Sequence, residues 1–88
     1  MGAHESHPDI VKRLKRAEGH LRGVIAMIEE ERPCLDIAQQ LHAVEAAVTN
    51  AKKALIHDHL DHCLDHAEDQ GETSLAAIHE LREITRYL

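Results

Sequence analysis

The sequence predicts an all-α protein with three helices per subunit, on three observations. Apolar residues recur at steps of three and four along most of the chain, which is the spacing of one helix face. No stretch alternates apolar and polar residues with a period of two, so no strand is expected. The apolar set is Leu, Ile, Val and Ala, with no Trp, no Phe and one aromatic, Tyr87, a set suited to the core of a helix bundle.

The first helix is expected from about Asp9 to Glu31, with Ile10, Leu14, Ala17, Leu21, Val24 and Ile28 as its stripe. Ser6 or His7 before Pro8 supplies a start, proline being tolerated in a first turn. Arg32-Pro33 ends it, because the residue before a proline resists the α region. The second helix, from about Leu35 to Ala67, carries Ile37, Leu41, Val44, Val48, Ala51 and Leu55. Its length suggests a bundle spine. Ala43, Ala46, Ala47 and Ala51 keep its middle slim enough for two such helices to approach closely. Glu68 to Glu72, with Gly71 inside, reads as a loop. A third helix starts at about Thr73 or Ser74 and buries Leu75, Ile78, Leu81, Thr85 and Leu88. The whole chain, 1–88, reads as one domain with a flexible arm over residues 1–8.

At 88 residues, a private core would be marginal, and oligomerisation is the usual remedy. Two cysteines, with no signal peptide and no long apolar run, point to a cytoplasmic protein without a membrane span. The net charge of −6 argues against indiscriminate nucleic-acid binding. Its distribution is uneven. Lys12, Arg13, Lys15, Arg16 and Arg22 crowd one early segment, Lys52 and Lys53 form a second cluster, and acidic residues run from Asp58 to Glu72. There are nine histidines, and His57, His59, His62 and His66 fall within ten residues.

Cys34, His59 and Cys63 are the main candidates for chemistry. His59 and Cys63 stand four apart, one turn along a single helix face. Cys34 begins the same helix, roughly 37 Å away at about 1.5 Å per residue. One chain therefore cannot bring the three together. Two antiparallel copies of the helix can, crossing near Ala47 and Val48, so that Cys34 of one copy meets His59 and Cys63 of the other. Thiolate and imidazole suit Cu(I) or Zn(II), or Ni(II) and Co(II) with further nitrogens.

Other readings stand beside this one. The two cysteines could be inert, or could form an intersubunit disulfide or persulfide bridge as a redox sensor. The acidic charge and the histidines also suit a metal buffer that never touches DNA. No base and orienting group accompany the cysteines, so an enzyme is not expected. His62 and His66, four apart, are either a secondary metal site or a solvated face. His4 and His7 lie in the arm, and Gly2-Ala3-His4 would suit square-planar Cu(II) or Ni(II) if Met1 were removed.

The run Arg13-Leu14-Lys15-Arg16-Ala17-Glu18-Gly19-His20-Leu21-Arg22-Gly23-Val24 resembles the CsoR/RcnR family of bacterial repressors. So do Met27-Ile28-Glu29-Glu30, Cys34-Leu35-Asp36-Ile37, Gln40-Leu41, Ala43-Val44 and Asp58-His59-Leu60-Asp61-His62-Cys63. The resemblance covers about Ile10 to Leu88. It implies an antiparallel four-helix-bundle dimer, assembling as a dimer of dimers into a homotetramer, that binds operator DNA without effector and releases it when a metal binds. Cys34, His59 and Cys63 match the trigonal set of the copper-sensing branch, which implies Cu(I). In nickel and cobalt sensors an N-terminal histidine also binds, and His4 is the better match for it. Formaldehyde sensors lack a cysteine at the Cys63 position. DNA contact would fall to Arg13, Lys15, Arg16 and Arg22, helped by Lys52 and Lys53. Two positions depart from the pattern: Glu45 stands where members often carry arginine, and Pro33 where the copper branch often carries tyrosine.

Overall fold

The computed structural model describes residues 7–70 and 75–88, leaving aside the side chains of 63–70 and 77. Three helices, α1 (His7–Glu29), α2 (Cys34–Gln70) and α3 (Leu75–Ile84), are followed by a 3-10 turn at Thr85–Tyr87. Among the described residues there is no strand.

Helix α1 takes in His7 and Pro8, which the sequence assigned to the arm. Pro8 fits there because the first amides of a helix need no intrahelical acceptor. At the other end the chain stops by a Schellman closure. The Arg32 amide donates to the Met27 carbonyl at 3.0 Å, and the Glu31 amide donates to Ile28 at 3.1 Å. That closure requires a left-handed residue, and Glu31 supplies it at φ 57°. Glycine is the usual occupant because a Cβ crowds this conformation.

The next helix starts at once. The Pro33 carbonyl accepts the Ile37 amide at 3.1 Å, so Cys34 is the first residue of α2. Asp36 follows in the first turn, where the helix dipole favours an anion. At about 1.5 Å per residue α2 is roughly 55 Å long, nearly the full 58 Å extent of the molecule. It runs on through Glu68, Asp69 and Gln70, which the sequence placed in a loop. These three residues have ordinary helix propensity, and the breaker Gly71 lies just beyond them. Residues 71–74 of the expected loop, with the expected α3 start at Thr73 or Ser74, lie outside the described residues.

The core is a seam between α1 and α2. Ile10, Ala17 and Val24 of α1, spaced by sevens, meet Val44, Ala51 and Ile56 of α2, all 1–7% exposed. His20 Nε2 and Gln40 Oε1, 2.7 Å apart, tie the two helices nearer the turn. Helix α3 touches α2 only lightly, and Leu75, Tyr87 and Leu88 around it are exposed.

The molecule is only 14 Å across its thinnest direction, little more than one helix diameter of about 10–12 Å. Each long helix therefore has one long neighbour, and half of each apolar stripe stays uncovered. On α1 the uncovered line is Leu14, Leu21 and Ile28; on α2 it is Leu41, Val48 and Leu55. Both run at seven-residue steps, 42–55% exposed. The single stripe read from sequence on each helix is two lines, one buried and one open.

Glu31→Gly should stabilise the protein by about 1 kcal/mol, since it removes the cost of a side chain in the left-handed region. Urea unfolding at fixed protein concentration measures this, and an unchanged or lower midpoint would count against the closure described.

Candidate metal centre and cation faces

Cys34 is placed by the tight turn before it. Pro33 caps α2, so the thiol sits in the first turn, exposed and free of any disulfide. His59 lies most of the way along the same helix, with its side chain 21% exposed. Its Nε2 is 3.1 Å from Glu80 Oε1, a carboxylate on α3. A carboxylate accepts, so in the neutral ring Nε2 carries the proton and Nδ1 carries the lone pair. Metal-ligating histidines are commonly oriented by such a carboxylate. Cys63 follows His59 by one turn in α2; its side chain, like all of His4, lies outside the described residues.

Within one subunit these residues do not converge. Cys34 and His59 are held roughly 37 Å apart by the rise of α2. Among the described residues no three His, Cys, Asp or Glu side chains gather into a metal cluster. What the fold does place together is a cavity of about 350 Å³ beside His59, lined by His7, Lys52, Leu55, Ile56, Ile84 and Tyr87. It joins the first turn of α1, the distal part of α2 and the chain's last residues. His7 Nε2 also lies 3.7 Å from Asp58 Oδ2.

Sequence reasoning missed one of these partners. His7, named as an N-terminal candidate after His4, shares the cavity with His59, and His4 lies outside the described residues. Glu80 was not singled out, because its pairing with His59 spans 21 positions and has no local signal. The one available hint was its place beside the apolar positions Ile78 and Leu81, on a helix that must dock somewhere.

Arg13, Lys15, Arg16 and Arg22 are all exposed on α1, and Lys52 and Lys53 are exposed on α2. Arg22 reaches Glu18 at 3.5 Å in a pair more than half exposed on both sides, where such contacts are worth little. Lys52 also lines the cavity near His59, so it faces the candidate centre as well as solvent. Glu45 is exposed on α2, 3.8 Å from His42 Nδ1. No described helix is long and apolar enough to cross a membrane.

The family model described as metal-sensitive transcriptional repressor matches residues 6–87. The copper-sensing transcriptional repressor CsoR of Bacillus subtilis (strain 168) is 43% identical over 75 residues, covering 85% of this chain and 73% of that protein. The copper-sensing repressor CsoR of Mycobacterium ulcerans (strain Agy99) is 38% identical over 77 residues, 88% of this chain; the match spans 65% of that relative's length. The copper-sensing repressor RicR of Mycobacterium tuberculosis is 37% identical over 70 residues, 80% of this chain and 73% of that one. Among solved structures, the nickel-responsive transcriptional regulator InrS superimposes with a TM-score of 0.84 at 36% identity, covering 97% of this chain and 96% of that one. By the extent of the family match and the identity to these relatives, the chain belongs to the family of metal-sensitive transcriptional repressors.

Proposed function

We propose that this repressor binds operator DNA without metal and releases it on binding Cu(I) at an intersubunit site made of Cys34 from one copy and His59 with Cys63 from another. The observation that carries this reading is the open line on α2. Cys34, Leu41, Val48 and Leu55 follow one another at seven-residue steps, and His59 is one turn beyond Leu55. Leu41, Val48 and Leu55 are 42–46% exposed. A second copy laid antiparallel along this line would cover them, as in a coiled-coil seam. With Val48 near the crossing, the same overlap carries Cys34 of each copy to His59 of the other. Burial and chemistry call for one arrangement. A further pairing of such dimers into a tetramer would suit the exposed residues around α3.

The donor set fits the ion. Two soft thiolates joined by one imidazole match the preference of Cu(I). Glu80 would hold the His59 ring with Nδ1 toward the cysteines. A bound ion would supply a tie between two copies that packing alone lacks. Cys34, next to the α1–α2 turn, then fixes the near end of one hairpin against the far end of its partner. If that arrangement misplaces the exposed cations of Arg13, Lys15, Arg16 and Arg22, metal and operator bind with opposite preference, and by linkage each weakens the other. With no recognition helix, these cations would read phosphate positions and groove shape.

A second reading, Ni(II) or Co(II), is favoured by one observation. His7 shares the cavity of His59, so a nitrogen-richer set is close at hand. The structural likeness to InrS, described as nickel-responsive, points the same way.

An intersubunit site has a signature in mixed oligomers. Cys34→Ala and Cys63→Ala should each bind no tight Cu(I) alone. Co-refolded, their heterodimers should bind one ion each, because one of the two sites is then complete. Anaerobic competition with a Cu(I) chelator measures this, and failure to restore binding would exclude the shared site.

Glu80→Gln should lower metal affinity by about 10- to 100-fold without loss of stoichiometry, the usual effect of removing a ligand's orienting carboxylate. The same competition assay reads it, with unchanged affinity as the contrary result.

Arg16→Ala should weaken operator binding across all sequences and reduce the slope of log K against log salt by about 1. A titration series in salt checks this. An unaltered slope would remove Arg16 from the DNA face.

A further inference from the structure

We infer that Glu45 and Lys52 make the open face of α2 self-complementary: Glu45 of each copy pairs with Lys52 of the other, and the pairs select a second copy of this chain, running antiparallel, as the partner.

The inference rests on the antiparallel dimer proposed above, and not on its metal. One turn after each member of the open line stands a member of a flanking line. Ala38 follows Cys34, Glu45 follows Leu41, Lys52 follows Val48 and His59 follows Leu55. The flanking line thus carries one anion and one cation, a heptad apart on the same edge of the seam, and both are exposed. Glu45 borders a shallow hollow of about 490 Å³ with Ala38, Leu41, His42 and Val44. Lys52 borders the cavity of about 350 Å³ beside His59. Little within the subunit holds Glu45 in place. It lies 3.8 Å from His42 Nδ1, beyond hydrogen-bond length, and both side chains are more than three-quarters exposed.

When two copies of one helix pair antiparallel about a twofold axis, a position before the crossing meets the position equally far beyond it, on the same edge. Cys34 with Cys63, Ala38 with His59, and Glu45 with Lys52 are all centred on one point, between Val48 and Thr49. One crossing therefore brings the thiol positions together, sets a small residue opposite His59, and joins opposite charges twice per dimer. In a parallel pair each charge would stand level with its own copy. Exposed ion pairs add little stability, so the effect is one of choice. Charges along the edge of a helix seam set orientation and partner, and a chain with cations at both positions would be rejected.

The test uses the full chain without metal. Glu45→Lys and Lys52→Glu are made separately, one of them isotopically labelled, then mixed at low salt and read by native mass spectrometry. Each variant alone should dimerise about tenfold more weakly than the wild-type protein, because both attractions become repulsions. Mixed, the two should form the heterodimer well beyond the half expected of random exchange, since each of its contacts then joins a cation to an anion. That recovery also shows that both variants fold. The preference should fade as added salt screens the charges, and Glu45→Lys/Lys52→Glu should dimerise as the wild type does. Random exchange at low salt, a preference that survives high salt, or a double variant as weak as the single ones would each overturn the pair. The complementation of Cys34→Ala by Cys63→Ala then judges the shared metal site separately.

Discussion

The structure depends on a mismatch between the width of its apolar stripes and the number of neighbours its helices have. A surface stripe on a helix is about 100° wide or more, enough to contact two partners. In a layer 14 Å thick, α1 and α2 have only each other along most of their length. Six small or medium side chains close the shared seam. Among the described residues Val24 is the largest side chain that is fully buried, so the seam holds the hairpin together without giving it a deep core. The remaining lines, Leu14–Leu21–Ile28 and Leu41–Val48–Leu55, are regular enough to belong to a second interface.

That constraint also organises the chemistry. A helix spanning nearly the whole molecule keeps Cys34 and His59 at opposite ends of the exposed line, and in the proposed dimer a partner running the other way would reunite them. The tight turn matters for the same reason. By closing α1 over Glu31 and starting α2 at Cys34, it leaves the thiol in the first turn of the helix with no loop to move it. At the far end, Glu80 ties His59 to α3, so a change at His59 is felt by a helix otherwise only lightly docked.

The helices were legible in the sequence because heptad spacing is a local signal, and so was a break near Arg32-Pro33, although α1 closes earlier, at Glu29. The identity of the buried line was not. Ile10 and Leu14 look alike as a pattern, and only the direction of α2 decides that Ile10 is covered and Leu14 open. The same limit applies to the candidate site. His59 and Cys63 were singled out by their spacing within one helix. Glu80 reaches His59, and His7 reaches Asp58, only after chain folding has brought distant segments together. The left-handed Glu31 was also hidden, since glycine is the residue that normally announces such a position.

Charge narrows how such a repressor could switch. At the proposed site, Cu(I) binding to two thiols would displace two protons and add one positive charge, a change of one unit at each site against −6 for the chain. At physiological salt that unit is screened beyond about 8 Å, whereas α2 alone is roughly 55 Å long. Direct electrostatic repulsion of DNA from the site is therefore too small and too local to release an operator. In the proposed switch the effect would be carried by the relative placement of the hairpins and of the cations they display. A seam of Leu, Val and Ala, slim at its centre, permits such sliding, because a helix pair with few large interlocking side chains has neighbouring registers of similar energy. A metal tie at the proposed Cys34–His59–Cys63 site would then select one register, and with it one spacing of the basic faces.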